Sequence, residues 1–134
     1  MHKFWTPLAL ILATAHAGAA DTPASQLAGW AREAGTPVTA FSAARGEAIF
    51  RGKHVNAGGE EAGCFGCHTP DPRKPGRTRA GKAIEPLAPA MTPARFTDAA
   101  KTEKWFARNC GDILGRPCTA GEKGDFLTWL MSIK

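Results

Sequence analysis

GCFGCHTP, residues 63–70, holds two cysteines three positions apart and a histidine directly after the second. Cys64 and Cys67 at that spacing suit a redox dithiol, half of a zinc site, or the attachment of a c-type haem. A redox dithiol opens a helix that follows a strand, within an α/β pattern, and no segment of this chain alternates convincingly as a strand. Zinc held by Cys64, Cys67, Cys110 and Cys118 has acceptable ligand chemistry. However, seven residues separate the second pair, unlike a second zinc knuckle, and the metal gives His68 no role. Haem attachment uses all three residues. Each thiol adds across a vinyl group of the porphyrin, and the adjacent imidazole can reach the iron.

The compartment agrees. Residues 1–20, MHKFWTPLALILATAHAGAA, have a basic start at Lys3, an apolar run over residues 7–15 and small residues before Asp21. That is the pattern of a secretory signal peptide, cleaved after Ala19 or Ala20. The run is well short of the roughly 20 apolar residues that span a bilayer, so the mature chain is expected in the periplasm with no membrane span. An oxidising compartment lets thiols pair and favours a disulfide between Cys110 and Cys118. Its ring is short, which by chain entropy contributes about 2–3 kcal/mol.

What remains of the 134 residues is one small domain. We divide it into an N-terminal extension, residues 21–40, and a cytochrome c domain, residues 41–134. The formal charge of +5 becomes +4 once Lys3 is removed. Five bases cluster in RKPGRTRAGK: Arg73, Lys74, Arg77, Arg79 and Lys82. An exported protein seldom meets nucleic acid, and no aromatic residue interleaves the run. The run therefore reads as a solvated loop, or as a face for an acidic partner or the carboxylates of a cofactor.

The expected class is all-α, wrapped around one covalent haem. Thr22-Pro23 opens a first helix, closed by Gly35 and Pro37. Ser42 caps a second, over AARGEAIFRG. Six prolines between residues 69 and 97 leave little room for regular structure, and wrapping a flat cofactor explains so long an irregular stretch. A third helix is expected from about Asp98 to Asn109. Thr119-Ala120-Gly121-Glu122 is a capping box for a last helix, in which Phe126, Trp129, Leu130 and Ile133 recur at helical spacing. Phe50, Trp105, Phe106 and Trp129 are expected in the core.

His68 supplies one axial position, and the other decides between a plain electron carrier and a ligand-binding protein. His2 and His16 leave with the signal peptide. His54, ten residues before Cys64, reads as a surface residue. Met91, followed by Pro93, is reminiscent of the methionine of ordinary small cytochromes c, although it lies early in the chain. Met131 belongs to the last helix and is expected in the core. Asn109 ends the expected third helix beside Cys110, where an asparagine is ordinarily a cap. On the residues alone, Met91 and Asn109 rank together.

From about residue 46 to residue 133 the chain resembles the sphaeroides haem proteins, class I c-type cytochromes whose sixth ligand is asparagine. The stretches CFGCHTPDPRKPGRTRAGKAIEPLAP, RFTDAAKTEKWFARNC, GRPC and GDFLTWL carry the resemblance. It implies a small class I cytochrome c-like fold, thioether bonds from Cys64 and Cys67, axial ligation by His68 and Asn109, and a disulfide between Cys110 and Cys118. It also implies electrons from a dihaem cytochrome c or a membrane cytochrome, and binding of oxygen or nitric oxide. A neutral, hard amide oxygen is tolerable on ferric iron and poorer on the softer ferrous ion, so reduction is expected to release Asn109. Turnover as a terminal oxidase or reductase, a plain carrier with Met91 as ligand, and a non-catalytic gas-binding protein are the alternatives. A peroxidase is weaker, since no distal histidine–arginine pair can be named.

Overall fold

Helix α1 (Pro23–Ala34) begins where the Thr22 hydroxyl accepts the Ser25 amide and the Ser25 hydroxyl accepts the Thr22 amide. These bonds occupy donors that the first turn otherwise leaves free. The computed structural model describes Met1 and residues 20–134, so the apolar run of the expected signal peptide lies outside the described residues. A single 3-10 turn, Val38–Ala40, leads to α2 (Ala43–Arg51), capped by the Ser42 hydroxyl. Two short strands follow, β1 (His54–Val55) and β2 (Glu61–Ala62), antiparallel with His54 opposite Ala62. The turn α3 (Phe65–His68) comes next, then a second antiparallel pair, β3 (Gly76–Arg77) with β4 (Ala83–Ile84). Helices α4 (Ala99–Leu114) and α5 (Ala120–Ser132) complete the chain. The class is all-α, as expected.

Helix α5 is the organising element. Its Leu127 joins Trp30, Ala31, Phe41 and Ala120 in one apolar cluster. Trp129 and Leu130 join Phe50 and Leu87 in a second. Phe50, Leu127 and Leu130 are fully buried, and each contributes about 2–3 kcal/mol of transfer free energy. Segment 21–40, set apart in the sequence as an extension, thus supplies Trp30 and Ala31 to the core through α1.

Helices α2 and α5 cross closely at Gly46, where an added Cβ would run into the backbone carbonyl of Asp125. The buried Asp125 carboxylate locks the crossing, accepting the Ser42 amide at 2.7 Å and two guanidinium bonds from Arg45 at 2.6 and 2.8 Å.

Three expectations need correction. Helix α4 does not stop at Asn109 but runs to Leu114. The stop signal is Gly115, which takes the left-handed conformation (φ 68°) two residues before Pro117. Trp105 and Met131 are not core residues, being 44% and 41% exposed; Trp105 shares its stripe of α4 with Lys101, Arg108 and Asn109, and the Arg108 guanidinium lies over its ring. The proline-rich stretch also carries the β3–β4 hairpin, closed by a bond from the Gly81 amide to the Thr78 carbonyl.

The start of α5 is pinned from outside. Arg116 donates to both oxygens of Glu122, at 2.9 and 2.7 Å, while Glu122 also accepts the Thr119 amide. The Arg116 hydrogen bonds pull the Glu122 pKa from 4.5 down to about 2, against an opposing push from partial burial. A depressed folded-state pKa lends stability above the ordinary carboxylate pKa and loses it as pH falls toward about 2. Glu122→Gln should therefore melt below the wild type at pH 6, and the gap should close as thermal scans are repeated down to pH 2. A gap that stays constant with pH would assign the loss to packing instead.

Candidate haem site

One helical turn gathers the motif. The His68 and Cys67 amides donate to the Cys64 carbonyl at 3.0 and 3.2 Å, which puts positions 64, 67 and 68 on one face. Thr69 then breaks the turn with φ 61° and ψ 163°, a conformation that non-glycine residues rarely adopt and that clusters at functional sites. Its hydroxyl donates to the Asp71 carbonyl at 2.9 Å.

The two cysteine pairs differ. Cys110 and Cys118 form a disulfide, whereas Cys64 and Cys67 are free thiols. That removes the four-cysteine zinc reading, because two of its ligands are already bonded to each other. Cys64 packs with Phe65 against the cluster of Phe50, Leu87, Trp129 and Leu130. Burial pushes its pKa up to about 11, so it is a neutral thiol. Burial also lowers the pKa of His68, and the nearby Arg95 lowers it further. The imidazole is therefore neutral at pH 7, with a lone pair able to bind iron.

The proline-rich segment folds back over this turn. The Leu87 and Ala88 amides both donate to the Pro72 carbonyl, at 2.9 and 3.0 Å. Gly76 lies so near the Cys67 carbonyl that a Cβ could not be placed there. Two of the five clustered bases are occupied within the loop. Arg73 pairs with Asp71, and Arg77 donates to the Gly81 carbonyl. Arg95, which the sequence reading did not single out, is the base nearest in effect to His68. It is half-buried, donating to the Pro86 and Glu85 carbonyls at 3.2 and 2.8 Å. Nothing local in the sequence marks it, since it stands outside the basic run.

The axial candidates separate. The Nε2–H of His54 donates to the Ile49 carbonyl at 2.9 Å, which gives that residue a structural role. Met91 lies on the loop surface, 48% exposed. Asn109 is exposed on α4, on the stripe of Trp105, Arg108 and Asp112. Helix α4 lies against both strands of the β1–β2 hairpin, the hairpin that runs directly into Cys64. No hydrogen bond among the described residues joins Asn109 to His68.

A neutral Cys64 thiol, the half-buried Cys67 and a neutral imidazole on one helical face, against an apolar wall, fit a porphyrin joined through thioethers. Comparison with known proteins agrees. The cytochrome c-type protein SHP of Cereibacter sphaeroides is 46% identical over 125 residues, covering 90% of this chain and 95% of that protein. The chain belongs to the sphaeroides haem protein family. Residues 36–130 also match the family described as Domain of unknown function (DUF1924). The structure of oxidized SHP, an oxygen-binding cytochrome c, superposes with a TM-score of 0.75 at 46% identity, covering 81% of this chain and 95% of that one. Cytochrome c'' of Methylophilus methylotrophus is 38% identical over 127 residues, covering 91% of this chain and 88% of that protein. Its oxidized crystal structure gives a TM-score of 0.72 at 34% identity, covering 84% of this chain and 94% of that one. The similarity is thus longer than residues 46–133 and takes in part of the N-terminal segment.

As a sphaeroides haem protein the chain is an exported cytochrome with one covalent haem c. No helix among the described residues is long and apolar enough to cross a membrane.

Proposed function

We propose that this protein is a periplasmic one-electron acceptor that binds a diatomic ligand when reduced. Cys64 and Cys67 would hold the haem through thioethers, and His68 and, in the ferric state, Asn109 would bind its iron. The haem supplies one-electron chemistry and, with an axial position free, a site for oxygen or nitric oxide. His68, kept neutral by burial, is a strong and permanent ligand. Asn109 offers only an amide oxygen, which competes well on ferric iron and poorly on ferrous.

The observation that carries the reading is the placement of Asn109. It rides on the helix packed against the hairpin that leads into Cys64, and its neighbour Cys110 is fixed by the disulfide to Cys118. The related proteins point the same way. One is an oxygen-binding cytochrome c, and the solution structure of the other bears on haem-ligand detachment. Both favour electron transfer and ligand binding over turnover as a terminal oxidase or reductase. A dihaem or membrane cytochrome donor would meet the exposed Lys74, Arg79 and Lys82, and salt should slow its electron delivery.

Absorption spectra test the ligand set. The wild type should be six-coordinate when ferric, and five-coordinate and high-spin when ferrous, binding carbon monoxide without a slow displacement step. Asn109→Ala should open the ferric form to azide, with affinity raised on the order of 100-fold because no internal ligand competes. Met91→Leu should change neither spectrum. Loss of a near-infrared methionine–iron band in Met91→Leu, with Asn109→Ala unchanged, would instead establish a plain His/Met carrier.

A further inference from the structure

We propose that the Arg95 guanidinium binds a carboxylate of the haem and so raises the reduction potential of the iron. This rests on the reading above for the haem held at Cys64, Cys67 and His68, and not on the identity of the distal ligand. Arg95 is fixed from several sides. Its Nε–H donates to the Pro86 carbonyl at 3.2 Å and its Nη2 to the Glu85 carbonyl at 2.8 Å. Its amide donates to the Thr92 carbonyl at 2.9 Å, and the Thr92 hydroxyl donates to the Pro86 carbonyl at 3.0 Å. The next residue, Phe96, has φ 60°, a conformation that bulky side chains rarely adopt and that clusters at functional sites. Phe96 is held there by packing against both apolar clusters, and its carbonyl accepts the Gln26 side-chain amide at 2.7 Å.

The same contacts bring Arg95 to the haem-attachment turn. Leu87, which follows Pro86, belongs to the cluster against which Phe96, Cys64 and Phe65 all pack. The Arg95 charge is felt at His68. Yet Arg95 is half-buried, and each ion pair among the described residues joins other side chains. The exposed Glu85 carboxylate lends it only a weaker attraction than the burial that opposes its charge. A partly desolvated cation is stabilised by an anion of matching geometry. The Nε–H and one Nη2–H are spent, so both Nη1–H groups and the second Nη2–H remain, a planar fork suited to a carboxylate. By contrast, Lys74, Arg79 and Lys82 are exposed and their side chains make no hydrogen bond among the described residues. The role of cofactor-carboxylate partner, which the sequence gives to that basic run, thus moves to Arg95. A free carboxylate near the iron favours the ferric charge, and a cation bound to it weakens that preference.

The mature holoprotein is prepared with its haem carboxylates carbon-13 labelled, from aminolevulinic acid labelled at the carboxyl carbon. Ferric-minus-ferrous infrared difference spectra then report the carboxylate stretching bands. Arg95→Gln should move those bands and shift the ferric–ferrous equilibrium roughly tenfold toward ferric, a potential about 59 mV lower. Arg95→Lys keeps the charge and loses the fork, so its bands should move while the potential falls by less than half as much. If Arg95→Gln fails to take up haem, the bands of Arg95→Lys decide. Arg79→Gln, in the basic run, should leave bands and potential in place. A His/Met spectrum in the wild type would refute Asn109 as ligand and leave this measurement readable, whereas a wild type without covalent haem would sink both. Bands that stay in place in both Arg95 variants, or potentials that fall equally in Arg95→Gln and Arg79→Gln, would overturn the proposal.

Discussion

Replacing both Cys64 and Cys67 with serine should abolish covalent haem attachment, leaving a band without haem-peroxidase stain on a denaturing gel. A serine hydroxyl does not add across a vinyl group, and the only other cysteines are consumed in the Cys110–Cys118 bond, so no substitute thiol exists. Each single variant should retain haem through its remaining thioether, with weaker staining. The double variant should also lose stability beyond that of a serine-for-cysteine exchange. Cys64 and Phe65 pack on the cluster of Phe50, Leu87, Trp129 and Leu130, and a porphyrin tethered there extends the buried apolar surface of a small domain. Haem that survives acid-acetone extraction in the double variant would disprove the assignment.

Gly46→Val should cost at least about 3 kcal/mol, the upper range for overpacking, and lower the melting temperature by about 10 °C or more. The obstacle is the carbonyl of Asp125, which is backbone and cannot rotate aside. Helices α2 and α5 would have to separate, stretching the bonds from Ser42 and Arg45 to Asp125. Ala48→Leu, on the exposed side of α2, serves as the control and should be nearly neutral. Far-ultraviolet circular dichroism melts on the two holoproteins decide the matter, and equal midpoints would show that the crossing tolerates a side chain.

Most helix starts were legible because their caps are local chemistry. Thr22-Pro23, Ser42 and the Thr119–Glu122 box each act within four residues, a distance that sequence displays directly. The haem-attachment turn was legible for the same reason. Asn109 misled as a helix end because an asparagine can cap or continue a helix, and here the glycine six residues later decides. The β3–β4 hairpin escaped because its strands are two residues each, too short for any alternation to register. Arg95 escaped because its position beside His68 exists only once the proline-rich segment has folded back through Pro72 and Gly76.

Because α5 contributes to both apolar clusters and follows the other described helices, neither cluster can close until α5 has been made. The emerging polypeptide holds α1, α2 and the haem-attachment turn with nothing to pack them on, and isolated helices of that length are marginal in water. It therefore stays pliable until α5 joins it, and that helix is the keystone of an exported chain.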